Sequence, residues 1–135
     1  MQPRFLTAAL FSVATLGLGA CDSVTTSTRT ISGTVTSRER MALPPAAEVE
    51  VKLVDVSLAD APAVTVAETR ITPEGAVPIP YALEFDPAKI ETGHEYALQA
   101  RITAGGHLLF TTTTRQPAPV ADGGQVDLLV QRAAP

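Results

Sequence analysis

Cys21 is the only cysteine in this 135-residue chain, and its thiol is the strongest latent nucleophile the sequence offers. It follows Leu18-Gly19-Ala20, at the close of an apolar stretch from Phe5 to Leu18 that begins behind one basic residue, Arg4. The stretch is too short to cross a bilayer stably as a helix, but it has the length of a signal-peptide hydrophobic region. A conventional secretory cut wants small residues at −3 and −1, and Leu18 at −3 does not supply one. With no second cysteine, no disulfide forms within a monomer.

The remaining reactive side chains form no recognisable constellation. His94 and His107 each follow a glycine in an expected turn, with no HxxxH or CxxC spacing around them. They are read as solvated turn residues, with no metal and no cofactor. Glu48 and Glu50 lie two apart and so face the same way on a strand, a placement that suits acid–base work, although such residues are more often the wet face of a sheet. No Gly-x-Ser-x-Gly elbow, Ser-x-x-Lys pair or phosphate-cradling glycine loop occurs. No catalytic residue is assigned, and the chain is read as a non-enzyme.

Leu18-Gly19-Ala20-Cys21 resembles the lipobox of bacterial lipoproteins. The resemblance implies a signal peptide over residues 1–20 and lipidation of Cys21 with fatty acyl chains of the palmitate type. A lipidated amino terminus and Ser/Thr-rich tether then span 21–29, with a β domain over 30–132 and a short tail over 133–135. Each buried methylene contributes about 0.8 kcal/mol, so three acyl chains anchor effectively for good. Removing the first 20 residues leaves 115, enough for one domain with a core. Ten Lys and Arg against fourteen Asp and Glu give a net charge of −4, which becomes −5 once Arg4 is lost. That balance argues against a nucleic-acid partner or a polybasic membrane patch. The tether, Asp22 to Arg29, spans roughly 26 Å fully extended, which keeps the domain near the headgroups of the bilayer to which Cys21 attaches. Asp22 matches the aspartate that tends to retain enteric lipoproteins in the inner membrane.

Beyond the tether the chain alternates with period two, the pattern of half-buried strands. Ile31, Gly33 and Val35 share one parity in a first strand. Val49, Val51 and Leu53 share another in a long second strand, and the switch to Val54 and Val56 predicts a bulge. A third strand runs from Val64 to Thr72 with its own parity slip. Val77, Ile79, Tyr81, Leu83 and Phe85 alternate without a miss, with Pro78 and Pro80 between them; prolines two apart delete donors from one side only, which predicts a protected edge strand. Asp86 caps an expected short helical turn to Ile90 with Pro87 at its first position. Tyr96 to Ile102 and a strand starting at Leu108 flank a Gly105-Gly106 hairpin. Val126, Leu128 and Val130 form the last strand, after the Asp122-Gly123-Gly124 turn. About seven strands of this kind predict an all-β, immunoglobulin-like antiparallel β-sandwich.

Five blocks recur in a known order. Ile31-Ser32-Gly33-Thr34-Val35, Met41-Ala42-Leu43-Pro44-Pro45, Asp55 to Pro62, Val77-Pro78-Ile79-Pro80 and Phe85-Asp86-Pro87 resemble those of the YbaY-like lipoproteins, which belong with the YscW type III secretion lipoproteins. The resemblance covers nearly the whole domain. It implies a lipid-anchored envelope protein of Gram-negative bacteria at the periplasmic face of the inner or outer membrane. YscW acts as a pilot for an outer-membrane secretin, so the resemblance also implies an envelope protein client, without fixing its identity or the oligomeric state.

Two surface segments are candidates for contacting such partners. Arg38, Arg40, Met41 and Leu43 form a charged, then apolar loop between the first two strands, where sandwiches commonly carry recognition. The plainer reading has Leu43 plugging the core while the arginines stay solvated. Thr111 to Thr114 suit a flat glycan- or peptidoglycan-binding face, and equally suit a strand.

Overall fold

The computed structural model describes residue 19, residues 27–40 and residues 42–134. Leu18, Ala20, Cys21 and Met41 lie outside the described residues. Nine strands follow one another: β1 (Arg29–Ser37), β2 (Ala47–Asp55), β3 (Val64–Ile71), β4 (Ile79–Phe85), β5 (Tyr96–Ala104), β6 (His107–Thr111), β7 (Gln116–Pro117), β8 (Gly124–Gln125) and β9 (Leu128–Arg132). Seven of them form a continuous hydrogen-bonded path, β3-β2-β5-β6-β9-β1-β4, with β7 added to β5 and β8 to β1. The two ends of the path, β3 and β4, lie close to each other without ladder pairing. The sheet is thus curled around one core.

The period-two pattern identifies the buried faces. Ile31 and Val35 of β1, Val49, Val51 and Leu53 of β2, and Leu98, Ala100 and Ile102 of β5 are almost fully buried, as are Leu128 and Val130 of β9. In β4, Ile79, Tyr81, Leu83 and Phe85 point inward while Pro80, Ala82 and Glu84 are exposed. The expected bulge between β2 and β3 is present: pairing shifts after Leu53, which faces Ala67, whereas Val54 faces Thr65, leaving Val66 as the extra residue. The slip lets Val54 bury on the parity opposite to Leu53. The proline-bearing β4 closes one end of the path, as its missing donors require. Asp86 Oδ1 accepts from the Ala88 N–H at 2.9 Å and starts the 3-10 turn Pro87–Lys89. Gly105 and Gly106, both at positive φ, turn β5 into β6.

Pairing direction departs from expectation. The wholly antiparallel sandwich is replaced by a mixed sheet, because β1 pairs in parallel with β8 (Ile31 with Gly124) and with β9 (Val35 with Leu128). Alternation marks which face of a strand is buried and carries no information about the direction of its neighbour. The chain returns to β1 only after about ninety residues, so no hairpin imposes an antiparallel partner. The expected last strand is also split: Val126 and Asp127 separate β8 from β9, and the Val126 N–H donates to Ser32 O at 2.8 Å. Val77 and Pro78 precede the β4 ladder rather than joining it.

Register assigns six connecting segments to one of two ends. Arg29 faces Phe85, and Asp55 faces both Val64 and Tyr96, so the start of β1, the 56–63 loop and the 86–95 segment share an end. Ser37 faces Val130, Phe110 faces Arg132, and Ala104 faces both His107 and Ala47. The loop after β1, the segment before β4 and the β5–β6 turn therefore occupy the far end.

Candidate functional site

The loop after β1 is built on a strand end that is pinned from two sides. Thr34 donates to Asp127 Oδ1 through its N–H at 3.0 Å and its hydroxyl at 3.1 Å. Glu39 then receives Nε and Nη2 of Arg132 at 3.2 and 3.1 Å, while that guanidinium lies 5.2 Å from the centre of the Phe110 ring. With Glu39 committed to Arg132, Arg38 and Arg40 are exposed and form no salt bridge among the described residues. Ala42 bridges to Ala76, which ties the loop to the segment before β4. Leu43 is half-buried against the core. Leu43 at the core edge and the exposed arginines are what the plainer reading of the loop expects.

Between the loop and its neighbour lies an open groove of about 530 Å³, lined by apolar Ala42, Ala76 and Val77 and by Thr36, Arg38, Arg40 and Glu39, whose carboxylate is held by Arg132. The segment pairs an apolar floor with two unneutralised cations, which suits an acidic or amphipathic polypeptide better than a small uncharged ligand.

A second cluster forms at the opposite end from residues that sequence spacing does not join. Asp55 Oδ2 lies 2.6 Å from His94 Nδ1, and Glu91 Oε2 lies 3.2 Å from the same nitrogen. Asp55 Oδ1 accepts from Ser57 N–H at 3.0 Å and from its hydroxyl at 2.6 Å, and Ser57 Oγ accepts the Glu95 N–H at 2.8 Å. The hydrogen bond to His94, aided by the two bonds from Ser57, holds the Asp55 carboxyl down at about 2. Asp55 in turn raises the His94 imidazole above its ordinary value. His94 is thus an ion-pairing residue, not a merely solvated one. Ser57, Asp55 and His94 do not form a nucleophile-activating relay, because the serine proton goes to the carboxylate and not to the imidazole. Asp55, Glu91 and His94 do place three metal-capable atoms within 4.8 Å of one another. The arrangement is a clamp that joins the end of β2 to the segment leading into β5.

Glu48 and Glu50 share a face, as their spacing requires, and both meet Arg70 of β3, at 3.4 and 3.6 Å. Lys52 also pairs with Glu50 and lowers its carboxyl pKa. These carboxylates are members of a cross-strand ion-pair ladder. His107 is exposed at the start of β6. Thr112 continues the sheet, its N–H donating to Ala100 O and its Oγ1 accepting from Ala100 N–H, while Thr113 and Thr114 are exposed.

Residues 26–130 match the family described as type III secretion system lipoprotein chaperone, YscW. The chain belongs to the YscW family. It is 40% identical over 99 residues to the uncharacterized lipoprotein YbaY of Escherichia coli K12, a match that takes in 73% of this chain and 52% of YbaY. The chain thus spans about half the length of that curated relative. Among solved structures it is similar to an alternative pilotin from the type II secretion system of Vibrio cholerae, with 37% identity and a TM-score of 0.73 over 81% of this chain and all of the pilotin. The family is described as a lipoprotein chaperone and YbaY as a lipoprotein, which agrees with the resemblance carried by the five sequence blocks. No helix among the described residues is long and apolar enough to cross a membrane.

Proposed function

We propose that this chain is a lipid-anchored envelope protein of the pilot or chaperone type. Residues 1–20 are removed as a signal peptide, Cys21 is acylated, and the β domain binds an envelope protein at its far end, on the periplasmic side of the membrane. One observation carries the reading: strand register puts the Arg38–Leu43 loop and its groove at the end of the sheet opposite Arg29, where the anchor joins. Anchored at one end, the domain presents unpaired arginines and an apolar floor away from the bilayer, where a client approaches. Membership of the YscW family and similarity to a pilotin support the chaperone class.

The test is complementation of a gene deletion. Deletion lowers the amount or outer-membrane arrival of one client protein, and wild-type protein restores it. A double Arg38→Glu, Arg40→Glu protein accumulates to the wild-type level and stays membrane-bound but restores the client less than about a tenth as well, as expected from losing close interfacial ion pairs that each contribute about 1.5 kcal/mol or more. Full restoration by the charge-reversed protein refutes the loop as the binding site.

A further inference from the structure

The 56–63 loop and the first residue of β3 form an apolar projection on an otherwise acidic protein. From Ser57 to Val64 the sequence is Ser-Leu-Ala-Asp-Ala-Pro-Ala-Val, with a single charged residue, and all eight are exposed. Leu58 is 72% exposed and Val64 64%, the two most exposed large apolar side chains among the described residues. The projection is held in place: the Ala61 N–H donates to Leu58 O at 3.4 Å, and the Asp55–Ser57–Glu95 hydrogen bonds with His94 fix the base of the loop. Leu58 and Val64 bracket exposed Ala59, Ala61, Pro62 and Ala63, an apolar run in water rather than a lone exposed side chain, and such runs mark contact surfaces.

Its position identifies the contact. Val64 faces Asp55 and Arg29 faces Phe85, so the loop lies at the end of the sheet where β1 begins. Eight positions separate Arg29 from Cys21, which can span at most roughly 26 Å. An acyl-anchored domain on so short a leash keeps this end against the headgroups. The far-end arginine loop faces away. We infer that the Leu58–Val64 loop is a membrane-docking surface: it inserts Leu58 at the headgroup–acyl boundary of the bilayer that holds Cys21, and so orients the far-end groove outward. The insertion is apolar, since the loop carries no basic residue for anionic lipid to attract. The inference rests on acylation of Cys21.

The chain contains no tryptophan, so one introduced residue is a clean reporter. Full-length acylated protein carrying Leu58→Trp, and separately Leu108→Trp at the far end, is reconstituted into vesicles of phosphatidylethanolamine with a minor share of phosphatidylglycerol. Acylation is read by mass spectrometry and attachment by co-flotation. Docking predicts that Leu58→Trp emission shifts to the blue and is quenched by lipids brominated near the headgroup, at the depth of about 5–10 Å that interfacial apolar groups reach. Leu108→Trp stays unshifted and unquenched. Acylated, floating protein in which both reporters behave alike overturns docking and leaves the anchor intact. A Leu58→Trp shift without vesicles that grows with protein concentration assigns the loop to a second copy and overturns docking as well. An unmodified Cys21 removes the anchor and the inference together.

Discussion

Gly33 is the position where one methyl group tests the whole β1 junction. A Cβ there would lie 1.9 Å from Val126 O, 2.6 Å from its carbonyl carbon and 3.2 Å from Tyr81 Cε1. Carbon and oxygen sit comfortably at about 3.3 Å, so Gly33→Ala forces the 124–128 segment back by about 1.4 Å. The obstacle is backbone, which no rotamer change moves aside. Retreat breaks the Val126 N–H to Ser32 O bond of 2.8 Å and strains the Tyr81 hydroxyl bond to Val126 O of 2.6 Å. Two such bonds contribute about 1 kcal/mol each, and overpacking adds about 1–3 kcal/mol, for a total near 3–5 kcal/mol. Against a typical domain stability of about 5–15 kcal/mol this is a large fraction. At about 4 °C per kcal/mol the midpoint falls by about 12–20 °C. Thermal unfolding of the non-acylated chain by circular dichroism measures it. Gly105→Ala is the control: Gly105 also has positive φ, at 55°, but nothing lies within 4 Å of an added Cβ, so only the left-handed backbone cost of about 1–2 kcal/mol applies. A Gly33→Ala loss no larger than that of Gly105→Ala refutes the parallel β1 junction.

The same junction predicts that Tyr81→Phe, which leaves Val126 O without its side-chain donor, costs about 1–2 kcal/mol, read as a denaturation midpoint shift with unchanged slope. Burial, reinforced by Asp127, pushes the Tyr81 phenol up to about 12, so ultraviolet titration of the folded protein shows a tyrosine ionising well above pH 10, and that step is missing from Tyr81→Phe, in which Tyr96 is the one tyrosine left. The Asp55–His94 pair has a defined pH window. His94, raised above about 6.5, contributes stability that is complete below that pH and is lost as pH rises through its folded pKa; Asp55, held at about 2, contributes stability present above about 4 and lost as pH falls toward 2. NMR titration of the His94 ring therefore gives a midpoint above 6.5, and Asp55→Asn brings it down; an unmoved midpoint would sink the clamp.

Strand content was legible in the sequence because a half-buried strand must alternate. Ile31 with Val35, Val49 to Leu53 and Ile79 to Phe85 mark their inward faces residue by residue. The bulge at Leu53 and Val54, the Asp86 cap and the Gly105-Gly106 turn were legible too, since each is a local conformational demand. The edge position of β4 followed from Pro80, the one of the two expected strand prolines that lies within it. The His94 clamp was not legible: its partners Asp55 and Ser57 are some forty residues away and are brought to it only by the pairing of β2 with β5. The commitment of Glu39 to Arg132, which leaves Arg38 and Arg40 free, likewise spans 93 positions.

The amino-acid sequence by itself determined that the domain is built of strands, which side of each is buried, where the chain turns, and that a lone cysteine sits behind a Leu-Gly-Ala triplet. These are consequences of side-chain order over a few residues. Only the tertiary structure decided that β1 takes parallel partners from the end of the chain, that the sheet curls on itself, and that the arginine loop and the Leu58 loop lie at opposite ends. Strand direction and loop placement come from contacts between segments far apart in sequence, where local periodicity exerts no constraint.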